Sequence, residues 1–396
     1  MTKIWEKENT KVKKEVEAYT VGEDYILDMQ LLPYDIKASK AHAKMLYSNG
    51  YLTKQELGQL LDALKELEKL VLDGKFKIKQ EEEDCHTAIE NFLIQKLGDA
   101  GKKIHTARSR NDQVLTALRL LYIDKLATVM ANAKSLQKQI SVFAKENKGM
   151  QMPGYTHMRK AMPTTVDTLT LAYVAMLDDD ITMAKSVLAV LDKNPLGSAA
   201  GYGVPLRIDR GITTKELGFE TVQENPIHCG NSRGKYESMV VYCLFGFMQT
   251  LNKIASDIIL FSTSEFGFFK LPHDVCTGSS IMPQKANPDV LELIRGNSHV
   301  LHGNLVTING ICLNLMSGFH RDYQLTKGPA LNSIKITNDS IGMMTLVFAG
   351  LKTDKKRLED AMTPELYATE KAYKLVEQGI PFRDAYKKIA KEIDQN

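Results

Sequence analysis

The chain is short of several things, and each shortage excludes a class of protein. Only five of its 396 residues are cysteine, and Cys85, Cys229, Cys243, Cys276 and Cys312 are scattered with no C-x-x-C pair. A disulfide framework or a cysteine-based zinc site is therefore not expected, and a reducing compartment is. There is one tryptophan, and the net charge is only +3, far too small to suggest nucleic acid as a partner. The first twenty residues lack an apolar secretory core, and no run approaches the roughly 18 uninterrupted apolar residues of a membrane span. Internal repeats and low-complexity tracts are absent. A cytoplasmic protein with no membrane partner is expected.

What remains is ordinary globular composition, 43% hydrophobic and 25% charged, on a chain long enough for two or three domains. The helical period dominates. Residues 55–72 read QELGQLLDALKELEKLVL, with leucines at three- and four-residue spacing along one face. Further long helices are expected over residues 112–147, 164–191, 235–264, 288–317 and 330–351. Rods of this length cannot fold back within a small domain, so they imply a long bundle. Several are apolar on more than one side, as in VLTALRLLYIDKLATVMANA from Val114, which favours an oligomer. The fold class is all-α: a long central bundle over residues 106–350, flanked by smaller, mostly helical domains at 1–105 and 351–396. Strand signal is sparse, with short extended pieces expected near QEEEDCHTAIE and KKIHTARS. Gly/Pro-containing breaks at 149–163, 194–210 and 271–288 interrupt the rods, and function concentrates in such breaks.

Three breaks or helix ends carry chemistry. Residues 278–288 read GSSIMPQKANP. Gly278 and two hydroxyl residues make a turn, with the cation of Lys285 and the amide of Asn287 beside Ser279. That set could hold a carboxylate while a neighbouring group removes a proton from the adjacent carbon; it is also what a flexible polar connector contains. Residues 152–157 read MPGYTH, where His157 is either a general acid or a hydrogen-bonded structural residue. Residues 105–113 read HTARSRNDQ, two arginines, hydroxyls and an amide ahead of a long helix. They suit a dicarboxylate cradle, or form a solvated basic turn.

Together these segments resemble the signatures of the fumarase/aspartase superfamily. GSSIMPQKAN is similar to its G-S-S-x-M-P-x-K-x-N loop and MPGYTH to its G-Y-T-H motif, while HTARSRNDQ resembles the H-T-[GA]-R-S-R-N-D-Q run of argininosuccinate lyases. LPYDIKASKAHAKML at 32–46, EDCH at 83–86, PLGS at 195–198 and GIPFRDA at 379–385 resemble the same relatives, so the likeness covers nearly the whole chain. The resemblance implies reversible elimination of argininosuccinate to L-arginine and fumarate without metal, nucleotide or flavin. It implies Ser279 as base and His157 as acid, paired with Glu292. Lys285 and Asn287 would stabilise the charged intermediate, and Asn111, Ser109, Arg110, Thr156, Gln324 and Lys327 would bind substrate. It further implies a homotetramer whose sites are shared between subunits. The rival readings are another fumarate-releasing C–N lyase and a non-catalytic, crystallin-like structural protein.

The sequence also departs from these relatives. Phe319 stands where they carry a substrate-binding tyrosine. Thr20 to Asp24 replaces the segment with their N-terminal serine contact, and NPIHCGNSRGKYE at 225–237 keeps only Asn225 and Arg233 of their usual run. The C-terminal portion is short.

Overall fold

A computed structural model describes residues 12–394. Ten helices of ten or more residues dominate the described residues: α1 (Leu32–Ser48), α2 (Lys54–Leu72), α3 (Cys85–Leu97), α4 (Arg110–Glu146), α5 (Val166–Leu191), α6 (Lys235–Phe261), α7 (Asp289–Cys312), α8 (Lys327–Gly350), α9 (Ala368–Glu377) and α10 (Phe382–Asp394). The all-α expectation holds, and most long helices begin and end within a few residues of the expected places. The largest discrepancy is α7, which stops at Cys312; Asn314 then takes a left-handed conformation (φ 63°) that no helix continues.

Among the described residues, strands form four two-stranded pieces. β1 (Gln151–Thr156) and β2 (Arg159–Thr165) form an antiparallel hairpin. β3 (Lys193–Asn194) runs parallel to β4 (Thr221–Val222), β5 (Phe269–Lys270) antiparallel to β8 (Lys352–Thr353), and β6 (Thr277–Gly278) antiparallel to β7 (Ala286–Asn287). The extended pieces expected near residues 80–90 and 102–109 are helical instead. Gln80–Glu82 and Lys103–His105 are single 3-10 turns, and α3 starts at Cys85 because the Asp84 carboxylate accepts the Thr87 N–H as its cap.

The chain forms two compact units, each gathered from three stretches: residues 1–127, 184–243 and 303–334 in unit 1, and residues 128–183, 244–302 and 335–396 in unit 2. Helices α4 to α8, of 24 to 37 residues, contribute residues to both.

In unit 1, α2 shows how pattern becomes packing. Thr53 and Glu56 close a capping box at its start, and Leu60, Ala63, Leu64 and Leu67 are its buried stripe. Each leucine so buried contributes about 1.5–3 kcal/mol. Ala38 and Ala41 of α1, Leu120 of α4, Leu196, Leu217 and Phe219 form one core cluster. Arg119, the residue before Leu120 on α4, donates to Gln223, Ser232 and the Lys193 carbonyl, with its guanidinium 4.8 Å from the Tyr236 ring centroid. In unit 2 an edge-to-face set of Phe143, Phe269 and Phe348 seats the β5–β8 pair on α4 and α8. Among the described residues no helix is long and apolar enough to cross a membrane.

Gly101 of unit 1 tests how tightly these elements meet. It is buried, and a Cβ there would fall well inside van der Waals contact of the Leu93 carbonyl at the end of α3. Gly101→Ala should destabilise the protein by about 1–3 kcal/mol through overpacking, read as a lower midpoint in urea unfolding.

Candidate active site

Within unit 1 the HTARSRNDQ segment is shaped by Asp112, which is fully buried. One carboxylate oxygen accepts the Ser109 N–H at 2.9 Å; the other accepts Gly197 N–H and Ala199 N–H, both at 2.9 Å. Burial pushes the Asp112 carboxyl above its ordinary value, with the three N–H donors and the Arg108 charge opposing. The Ser109 hydroxyl accepts the Asn111 N–H, so a serine and an aspartate cap the start of α4 reciprocally. This fixes Ser109, Arg110 and Asn111 at a helix N-terminus, where backbone N–H groups and the helix dipole favour anions.

Arg110 and Asn111 line a cavity of about 120 Å³. Its other walls include Asp24 and Asp28 from before α1, Glu83, Asp84 and His86 around the start of α3, and Arg233. Val21, Val114, Phe319, Arg321, Gln324 and Lys327 complete it. Three expected binding residues thus meet a fourth, Gln324, in one place: Arg110, Asn111 and Lys327 share its walls. The departures noted in the sequence are there too, because Asp24 and Phe319 both face the cavity.

The charges are largely matched. Arg110 donates to Glu83 at 2.8 Å and to Thr87, with Asp84 at 3.5 Å. Burial would lower the Arg110 pKa, but Asp84 and Glu83 outweigh it and raise it. Lys327 is buried between two carboxylates, in contact with Asp28 and 3.0 Å from Asp24. Burial would lower its pKa as well; Asp28 and Asp24 more than compensate, so the ammonium stays charged. One lysine cannot satisfy two acids, and burial pushes Asp24 above its ordinary value despite Lys327. Gln324 donates its amide to the Thr20 and Val21 carbonyls, and Arg321 donates to Thr20 as well.

Asp28, Cys85 and His86 each place a potential ligand atom within 4.8 Å of the others. Most of their atoms are engaged: Asp28 with Lys327 and the Cys85 N–H, and His86 Nδ1 with Asp35 at 2.7 Å, leaving His86 Nε2. The group is a hydrogen-bonded network. Sequence reasoning passed over Asp24, Asp28, His86 and Arg321 as site residues. Asp84–His86 was visible as a motif without a role, and the others lie in segments with no distinguishing pattern.

Unit 2 holds the remaining candidates. Ser279 follows β6, and its Oγ accepts the backbone N–H groups of Ile281 (3.3 Å) and Met282 (3.1 Å). Two donors aimed at one hydroxyl oxygen favour its deprotonated form, which a base needs. The antiparallel β6–β7 pairing returns the chain so that Asn287 faces Thr277 in register, with its amide 3.4 Å from the Gly278 carbonyl. Lys285 is exposed on the same loop, its N–H bonded to the Met282 carbonyl. Ser279, Lys285 and Asn287 therefore share one tight loop ahead of α7, and Glu292 is exposed in the first turn of that helix.

His157 sits at the tip of the β1–β2 hairpin. His157 (φ 51°) and Met158 (φ 59°) are both left-handed, the backbone of a two-residue turn normally built from Asn-Gly. Such conformations in non-glycine residues concentrate at functional positions. Thr156 and His157 are exposed. Within the single chain, His157 and Glu292 form no hydrogen bond or ion pair among the described residues.

A family model described as Lyase matches residues 9–303, and the chain belongs to that family. The fold is shared with a class II fumarase from Schistosoma mansoni, 16% identical, with a TM-score of 0.77 over 96% of this chain and 93% of the other. It is shared as well with an EDDS lyase in complex with formate, 25% identical, TM-score 0.81, covering 96% and 76%.

Among curated relatives, an argininosuccinate lyase from Thermotoga neapolitana is 50% identical over 390 residues, 98% of both chains. Argininosuccinate lyases from Sorangium cellulosum and Bacteroides fragilis are 40% and 39% identical, covering 95% and 99% of this chain and 87% and 88% of theirs. The chain belongs to the argininosuccinate lyase family.

Lys327 offers a test of the cavity's charge balance. Lys327→Met would leave Asp24 and Asp28 facing each other without a cation, and breaking such a buried pair costs about 3–5 kcal/mol. A fall of that size should appear in urea unfolding at neutral pH.

Proposed function

We propose that the chain catalyses the reversible elimination of argininosuccinate to L-arginine and fumarate. The observation that carries this reading is the Ser279 loop: a hydroxyl held by two backbone N–H donors, on one hairpin with Lys285 and Asn287. The proton to be removed lies on the carbon next to a carboxylate, and the resulting dianionic intermediate needs preorganised positive charge and amide donors. Ser279 takes that proton. Lys285 and Asn287 hold the carboxylate on which charge accumulates. As the C–N bond breaks, the departing guanidino nitrogen takes a proton from His157, which Glu292 orients. Ser109, Arg110, Asn111, Thr156, Gln324 and Lys327 bind the rest of the substrate.

The assembly we propose is a homotetramer with sites shared between subunits, working in the cytoplasm. Supporting this, His157 and Glu292 form no hydrogen bond or ion pair among the described residues. Leu293 and Val300 lie seven residues apart on α7 and are 66% and 49% exposed, a stripe that calls for another helix. Loops brought by neighbouring subunits would also cover the exposed Ser279 hairpin and exclude water from it.

The purified protein should release fumarate from argininosuccinate and not from adenylosuccinate or aspartate. Release from either of the latter in preference would move the assignment to another fumarate-forming lyase, and no release from any would refute the enzyme reading. Ser279→Ala should lower kcat by about 10²–10⁴-fold, and undiminished turnover would remove Ser279 as the base. Activity and tetramer should be lost together on dilution, followed by gel filtration; an active monomer would rule out shared sites.

A further inference from the structure

One acid in the wall of the unit 1 cavity is left with half a partner. Glu83 and Asp84 are answered by Arg110, and Arg233 is answered by Glu237. Asp28 takes both the Lys327 ammonium and the Cys85 N–H. Asp24 has only a share of the same ammonium. Its Oδ1 is 3.0 Å from Lys327 Nζ, and its Oδ2 has no hydrogen-bond partner among the described residues. The Asp24 side chain is 16% exposed, against 0% for Asp28 and 3% for Lys327. Of these three charges, Asp24 is the one a ligand can reach.

The backbone fixes that carboxylate in the wall. Arg321, Gln324 and Lys327 follow at three-residue spacing through the 3-10 turn Arg321–Thr326 and into α8. Residues three apart eclipse in such a turn, so the three share one face. Opposite them runs the segment from Thr20 to Asp28. Arg321 and Gln324 donate to the Thr20 carbonyl, Gln324 also to that of Val21, and Lys327 contacts Asp24 and Asp28. Asp24 is thus clamped on either side, at Val21 and at Asp28. Two carboxylates around one ammonium leave a negative charge over, which is costly to keep bare where solvent is scarce. Burial pushes Asp24 above its ordinary carboxylate value against the pull of Lys327, and Asp28 adds to the rise. A second cation on the cavity side would offset both.

We propose that Asp24 is the counter-ion for the α-ammonium at the amino-acid end of the substrate, and so selects an amino acid over the same guanidine without one. This rests on the lyase reading, in which the guanidino nitrogen belongs to the bond that breaks while Asn111, Gln324 and Lys327 hold the rest of the molecule. The cation in that remainder is the α-ammonium. It carries three N–H donors, and a carboxylate oxygen facing it makes a charge-assisted hydrogen bond.

Calorimetric titration of the purified protein with L-arginine and with desamino-arginine, which lacks only the α-amino group, tests this contact. The wild type should bind L-arginine at least about tenfold more tightly than desamino-arginine. Asp24→Asn should weaken L-arginine about tenfold and leave desamino-arginine bound no more weakly, so that the preference for the amino group disappears. The KM for argininosuccinate should rise in step. Equal affinity of the wild type for the two ligands overturns the proposal and needs no variant to fold; so does a wild type that does not bind L-arginine. An Asp24→Asn protein that keeps the wild-type preference overturns it as well, whether or not both ligands bind more weakly. Fumarate release tests the lyase reading separately. A wild type that releases none from argininosuccinate, yet prefers L-arginine through Asp24, would refute the reaction and keep the site.

Discussion

The buried carboxylate of Asp112 ties together parts of unit 1 that are distant in sequence. With one oxygen it closes the first turn of α4, and with the other it holds the backbone of Gly197 and Ala199, some eighty residues later. A carboxylate this deep is costly unless each lone pair is answered, and three backbone N–H donors answer it. The arrangement settles where Ser109, Arg110 and Asn111 stand, and through them one wall of the cavity. Ala107 (φ 59°) and Ala199 (φ 51°), on either side of this junction, are both held left-handed, strain that persists only where surrounding bonds over-determine the backbone.

Around that anchor the cavity is organised by charge matching. Arg110 is answered by Glu83 and Asp84, Lys327 by Asp24 and Asp28, Arg233 by Glu237. Matched pairs cost little to bury compared with lone charges, and they leave the few unmatched donors conspicuous. Phe319 brings a ring and no hydroxyl to this wall, and Asp24 brings a carboxylate. The unit 2 loops solve a different problem, setting a serine oxygen against backbone donors and a histidine on a strained turn.

Much of this was legible in the chain. The leucine stripe of α2 needed only its 3.6-residue period, and α5 and α6 were visible as unbroken helical runs. The Ser279, His157 and Arg110 segments were legible because each is contiguous, and the chemistry of each is carried by neighbours in sequence. The errors have local causes. Residues near 85 were read as extended, yet Asp84 caps a helix there. The β1–β2 hairpin carried no Asn-Gly signal, since His-Met occupies its turn, so it passed for an irregular break.

The sequence by itself determined the helical class and the lyase family, because period and contiguous motif survive in one dimension. Only the tertiary structure decided that Asp24, Asp28, His86 and Arg233 meet Asn111, Gln324 and Lys327 around one cavity, and which of their atoms remain unpaired. That outcome depends on pairing between residues up to about three hundred positions apart, such as Lys327 with Asp28. Charge matching of this kind is a property of distances, and no local pattern in the chain encodes it.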